Sequence, residues 1–354
     1  VDSRIWKTGS VISVHAEQAE LDERDLRLLH GLQIAPRIPW AEAARILGTT
    51  AAGEAARWAR LRRHGLAWIT AHPGGSYRRV TLALVEVDCL PGARRAVVDA
   101  VCADPRAVTV EESTRGRDLL LTVITENLAA LTAFVLDDLE TLPGVARQRT
   151  HVATAVHRHG SHWRLDALGP AEEAAFEAAA RRDTAAVPPP PPRHAWPLIE
   201  ALAADGRATA ADLARSTGRN PATVRRQLAR LLASDLLSFR CELAAEVSSW
   251  TVSSTWTAHV EPADHRRTVR ALATMPELRM CLSTTGDANL AMTFWTRSPH
   301  DMLRIERTLG HHLPWLRLRD NAINLRTPKR MGWLLDATGR ATGRIIPPRA
   351  LATY

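Results

Sequence analysis

Laid against itself, the chain repeats at close to half its 354-residue length. Ala44, Arg45 and Gly48 recur as Ala214, Arg215 and Gly218, and Arg60-Leu61 recurs as Arg230-Leu231, a spacing of 170 residues. One extra residue then makes the spacing 171, which pairs Pro91 with Pro262, Leu119 with Leu290, Thr122 with Thr293 and Leu142-Pro143 with Leu313-Pro314. Trp163-Arg-Leu-Asp-Ala and Trp333-Leu-Leu-Asp-Ala restore 170. Solenoid repeats run about 20–50 residues, so this period describes two copies of a multidomain unit. The chain reads as a covalent dimer of related halves.

Each copy is helical first and mixed second. Leu26, Leu29 and Leu32 share a helical face, Trp40 to Leu47 gives a second short helix that Gly48 stops, and Thr50 can cap a third. Copy two repeats this with Leu198, Ile199 and Leu202, then a helix ended by Gly218, then Asn220 as cap with Pro221 at the first helical position. After each tri-helical piece the pattern reads βαββαβ: strands at 79–88, 106–113, 118–125 and 145–156 with helices near 91–103 and 127–141, and a matching series from 250 to 326. The expected class is α+β, with two tri-helical, winged helix-turn-helix domains and two ferredoxin-like units. The boundaries expected are a tail at 1–20, heads at 21–72 and 193–240, βαββαβ units at 78–160 and 247–327, a connector at 161–192 with the run Pro188 to Pro192, and a basic tail at 328–354.

Composition narrows the function classes. With 45% apolar and 24% charged residues and no apolar run approaching ~20 residues, disordered and membrane-spanning classes are excluded. Val1 to Lys7 lacks a signal-peptide core, so the cytoplasm is expected. Cys89, Cys102, Cys241 and Cys281 are scattered, with no Cys-x-x-Cys pair, and fit buried reduced thiols. His151, His157, His159 and His162 cluster without a carboxylate or thiol at ligand spacing, so no metal and no cofactor is expected. Nor does the sequence offer a Ser/His/Asp motif, a nucleotide loop or paired catalytic carboxylates.

The net charge of +8 is almost wholly arginine, since Lys7 and Lys329 are the only lysines. From Leu213 through Ser234 there is no acidic residue, while Arg215, Arg219, Arg225, Arg226 and Arg230 are available for phosphates and base edges. A short helix, a glycine turn and a capped arginine-rich third helix match a helix-turn-helix, whose third helix enters the major groove of double-stranded DNA.

Leu21-Asp22-Glu23-Arg24-Asp25, the two helix-turn-helix segments and the two βαββαβ units resemble the Lrp/AsnC transcription regulators, whose effector domain is called RAM. That family's recognition helix opens with Ser-x-x-Thr-Val followed by arginine, and Asn220-Pro-Ala-Thr223-Val224-Arg225-Arg226 fits it. The DNA-contacting set implied is Arg219, Asn220, Thr223, Arg225, Arg226 and Arg230, with Thr50, Arg57 and Arg60 in copy one. Copy one also carries Gly53, which weakens a helix, and Glu54, a carboxylate where an apolar residue is expected, so copy two should dominate base reading.

The resemblance places a small effector, in the family often an amino acid, at the turn between the second and third strands. That implies Thr285, Gly286, Asp287 and Asn289 in copy two and Thr114, Gly116 and Asp118 in copy one. It implies a one-component bacterial regulator that catalyses no reaction, shifts between arrangements of its heads, and associates further into homo-oligomers. Two other readings stand beside it: siroheme decarboxylases, which resemble the same family, come as two related halves and use histidines beside a tetrapyrrole, and a DNA-free sensor that binds a protein partner.

Overall fold

The computed structural model describes residues 21–354 apart from 75, 76, 115, 183–188 and 246–249. The tail expected at 1–20 and part of the proline-rich linker lie outside the described residues. The first head comprises α1 (Glu23–Ile34), α2 (Trp40–Leu47) and α3 (Ala51–Arg63), followed by β1 (Ala67–Pro73). The Gly48 stop and the Thr50 cap are those read from the chain, and the Asp22 box adds to them. Asp22 caps α1 in a reciprocal box with Asp25, Gly48 ends α2 at φ 69°, and Thr50 Oγ1 accepts from the Gly53 amide.

The first βαββαβ unit follows as β2 (Thr81–Cys89), α4 (Arg94–Ala103), β3 (Ala107–Ser113), β4 (Leu119–Thr125), α5 (Leu128–Thr132) and β5 (Val145–Arg158). The helix expected over 127–141 starts as α5 and continues in π-helical turns over Ala133–Leu139. After α6 (Pro170–Arg182) comes the second head: α7 (Trp196–Ala204), α8 (Ala210–Thr217), α9 (Pro221–Ala233) and β6 (Leu237–Leu243). The second unit is β7 (Val252–His259), α10 (Pro262–Leu272), β8 (Leu278–Thr284), β9 (Leu290–Thr296), α11 (Asp301–His312) and β10 (Arg317–Arg330), extended by β11 (Trp333–Leu335) and β12 (Ala341–Ile345).

Pairings between the copies make the halves one body related by a pseudo-twofold axis. β1 and β6 run antiparallel with Thr70 opposite Arg240, its own counterpart in the other copy, so the two wings form a ribbon on the axis. β5 pairs with β8 through Ala153 and Thr284, and β10 with β3 through Asn324 and Ser113, the same positions exchanged between copies. The strands therefore close into an eight-membered antiparallel ring, β10-β3-β4-β2-β5-β8-β9-β7, with β7 returning to β10. Closure removes the unpaired edges that an open sheet presents. Along β2 the side chains alternate as the pleat demands: Ala83, Val85 and Val87 pack outward beneath α4 and α5, while Leu82 and Leu84 face the interior with Leu120, Leu282 and Met331.

Two stretches expected to lie outside the domains are built into them. The connector contains α6, whose Phe176 is fully buried in the first head's core and lies on Gly31, where a Cβ would collide with the ring. The basic tail at 328–354 carries an apolar set that its charge obscures: Trp333 sits 6.0 Å from Trp68, and Leu351 enters the second head's core.

His30 of α1 holds the connector through Nδ1, which accepts from the amides of Ala167 and Leu168 at 3.3 and 3.1 Å. Burial pushes its pKa down to about 4, with Arg164 adding to the shift. The unfolded chain takes up this proton from about 6.5 downward and the folded chain only near 4, so stability should fall as pH drops between those values. Allowing for solvent screening, the loss should reach about 2 kcal/mol. Urea unfolding at pH 7 and pH 4.5, with and without His30→Gln, checks that the pH term disappears with the imidazole.

Candidate nucleic-acid interface and ligand turns

Helix α9 combines a fixed start with a free cationic face. Asn220 Oδ1 accepts from the amides of Ala222 and Thr223 at 2.9 and 3.3 Å, and Pro221 has no amide proton to leave unsatisfied. Val224, Leu228 and Leu231 are buried against the rest of the head. That stripe turns Arg225 and Arg226 outward, both exposed, and among the described residues neither has an ion-pair or hydrogen-bond partner. Arg219 donates to the carbonyl of His194 at 3.1 Å and Arg230 to that of Pro190 at 2.7 Å, so these two flank the helix tied to the segment preceding α7. Thr223 is half-buried on the opening turn.

Helix α3 has the same shape and a different chemistry. Arg57 donates to Asp22 at 2.9 Å and to Asp25 at 2.6 Å, and Arg60 donates to both oxygens of Asp25 at 2.6 Å. Asp25 is fully buried, so both arginines turn back toward α1. The acidic cap of α1 carried this signal, but a second role for Asp25 beyond capping does not follow from its spacing. Glu54, the counterpart of Val224, is 3% exposed, and its Oε2 has no hydrogen-bond partner. Glu54→Val should therefore stabilise the first head by about 1–3 kcal/mol, the cost of an unsatisfied buried acceptor. Thermal unfolding of that variant against wild type measures it.

The two expected effector turns are stitches between copies. Thr285 Oγ1 accepts from the Val152 amide at 3.0 Å while its own amide donates to the Val152 carbonyl at 2.9 Å. Thr114 does the same with Ile323, at 3.0 and 2.9 Å. Asn289 grips the Val260 backbone, accepting at 2.9 Å and donating at 2.8 Å, and Asp118 accepts from the Cys89 amide at 2.7 Å and pairs with Arg94. Gly286 and Gly116 take φ of 108° and 74°, which L side chains rarely adopt. Asp287 is exposed, and its carbonyl accepts from His259 at 2.8 Å. The polar groups of Asn289 and Asp118 that were expected to face a ligand are thus engaged with the fold. Asn289→Leu should cost stability, about 1–3 kcal/mol, because the Val260 amide and carbonyl lose their partner; chemical denaturation would register it with no effector present.

Of the histidines read from the sequence, His159 and His157 lie in separate groups, and His159 is joined by His72, which the sequence did not single out. His159 and His72 both hydrogen-bond Ser161, at 2.8 and 3.1 Å, and His157 reaches Ser283 at 2.6 Å. Burial, reinforced by Arg240, holds His159 and His72 well below their ordinary pKa, so both rings are neutral. Among the described residues, no group of three or more His, Cys, Asp or Glu is disposed to hold a metal ion. No described helix is long and apolar enough to cross a membrane.

Comparison with known proteins agrees with this layout. Residues 21–62 match the AsnC-type helix-turn-helix domain, 82–161 the Lrp/AsnC ligand binding domain, and 198–237 a winged helix-turn-helix DNA-binding domain. An uncharacterized HTH-type transcriptional regulator of Pyrococcus furiosus is 29% identical over 145 residues, 40% of this chain and 96% of that protein. Among solved structures, the siroheme decarboxylase NirDL in complex with an iron-uroporphyrin III analogue is similar in fold, with TM-score 0.55 at 12% identity, covering 87% of this chain and 93% of that one. Escherichia coli AsnC aligns with 38% of this chain and 92% of its own, at 14% identity and TM-score 0.32. Residues 21–62 and 82–161 thus match an AsnC-type helix-turn-helix domain and an Lrp/AsnC ligand binding domain, and are followed by a second winged helix-turn-helix and a second βαββαβ unit.

Proposed function

We propose that the chain is a DNA-binding transcriptional regulator that responds to a small molecule and reads sequence chiefly through α9. The supporting observation is the pair Arg225 and Arg226, exposed and unpartnered at the start of a well-capped helix, set against the engaged Arg57 and Arg60 of α3. Thr223, Arg219, Asn220 and Arg230 position or supplement that face, and Thr50 opens the weaker one. A chromosomal target implies the cytoplasm. The paired ligand-binding units that other regulators assemble from separate subunits are supplied here within one chain, and further self-association would set the spacing of heads on DNA.

The reading assigns no catalysed reaction. A siroheme decarboxylase shares the architecture; the barrel's interior cavity of about 80 Å³ is far smaller than a tetrapyrrole, whereas a separate cleft of about 680 Å³ lined by His162, Arg158 and Arg164 is not so limited. Arginines that neutralise phosphates release counterions, giving a slope of about −0.9 in log affinity against log salt per contact. Several contacts should therefore make binding steeply salt-dependent. A flat plot, or a tetrapyrrole absorbance band on the purified chain, would favour the other readings.

A further inference from the structure

Inside the ring of strands, at the end nearest the ribbon of β1 and β6, charge is buried that the fold does not require. Glu242 is 1% exposed and receives Arg240 at 3.2 Å and Arg279 at 2.6 Å, with Arg330 at 4.0 Å. All three arginines are among the residues that line the cavity of about 80 Å³, together with Glu111, His159 and Gly160. Three arginines share one strongly paired carboxylate. Glu111 accepts from Asn324 at 3.0 Å, and its pKa is raised by burial, opposed only in part by Arg330 and Arg279.

The symmetry-related positions show that this arrangement is not needed for folding. Across the pseudo-twofold axis, Arg240 corresponds to Thr70, Glu242 to His72, Arg279 to Val108, Arg330 to His159 and Glu111 to Leu282. The same strand positions are filled without charge there, so gathering five ionisable groups, four of them buried, is a specific feature of one end of the barrel. The Arg240 Nε is buried and has no hydrogen-bond partner, on a residue 8% exposed. A Cβ on Gly160 would come within 3.0 Å of the Arg240 guanidinium and 3.2 Å of that of Arg279, so this position lets both cross the cavity wall.

We propose that this cavity binds a small organic carboxylate, its anionic end on Arg240, Arg279 and Arg330 and its apolar part on Leu82, Ile124 and Leu282. A planar carboxylate matches the fork of donors that a guanidinium presents. At about 10–15 Å³ per water the space of about 80 Å³ holds roughly five to eight waters, which sets a ligand of the size of pyruvate or succinate. Arg240 and Glu242 lie on β6, which follows α9 directly in the chain, so an occupant would bear on the strand that carries the second head. The site stands whether or not the chain binds DNA.

The test uses the full chain and no DNA. Calorimetric titration and thermal shift are measured with pyruvate and succinate, with succinamide as the neutral isostere, and with inorganic phosphate. At least one carboxylate should bind and raise the melting temperature, and succinamide should not. Arg240→Thr, which installs the residue of the other copy, should weaken binding roughly tenfold or more, the loss of one charge-assisted contact. Thr293→Leu fills the cavity and leaves every charge in place, so it should abolish binding even if Arg240→Thr folds poorly. Binding unchanged in Thr293→Leu, equal response to succinamide, phosphate in preference to both carboxylates, or no response to either carboxylate would overturn the proposal.

Discussion

Arg226→Ala is expected to weaken specific DNA binding by about 1–3 kcal/mol, roughly 5- to 150-fold, with little change in stability. The side chain is exposed and has no partner in the described structure, so its removal leaves nothing unpaired inside the protein. Arg225→Ala should behave alike. Arg57→Ala should do the reverse. Its guanidinium is shared between Asp22 and the fully buried Asp25, and truncation leaves Asp25 with Arg60 alone, at a cost of about 1–3 kcal/mol in unfolding free energy. Fluorescence-anisotropy titration of each variant against one selected DNA site, paired with urea unfolding, separates the two effects. A loss of specificity in Arg57→Ala equal to that in Arg226→Ala would remove the asymmetry between the heads.

Glu242→Gln should be among the most destabilising single changes in the chain, at about 3–5 kcal/mol. Burial alone would raise the Glu242 pKa, yet Arg279, Arg240 and Arg330 hold it below the ordinary carboxylate range, so the group is ionised and compensates three cations. An amide of the same shape leaves those cations facing one another in a site of low dielectric. Adding Arg240→Thr removes one uncompensated charge and should recover part of the loss, a coupling that a double-mutant cycle reads directly. Additive effects of the two changes would mean that the pair does not interact as its 3.2 Å separation implies.

What could be read from the chain was local. Gly48 and Gly218 end their helices in the left-handed conformation that their positions predicted, and Asn220 with Pro221 opens α9. The strands of both βαββαβ units fall within a few residues of the alternating patterns. What escaped reading depends on partners far along the chain. Nothing local in Thr114 announces that it will hydrogen-bond Ile323, nor in Asn289 that its amide will be taken up by Val260. Likewise nothing local marks Arg240, Arg279 and Arg330 for burial, because only the pairing of β1 with β6 and the closing of the ring gather them around Glu242. The duplication itself supplied the best control, since each charged member of that cluster has an uncharged counterpart about 170 residues away in the same sequence.

Selection of bound fragments from genomic DNA, run in parallel with the full chain and with its Arg225→Ala, Arg226→Ala double variant, tests the proposed role of α9 most directly. The account predicts that the wild-type chain enriches a limited set of fragments sharing one sequence element, and that the folded double variant binds those fragments no better than unrelated DNA. Enrichment of the same fragments by the double variant would contradict reading by α9, and the absence of any enrichment by the wild-type chain would contradict the regulator itself.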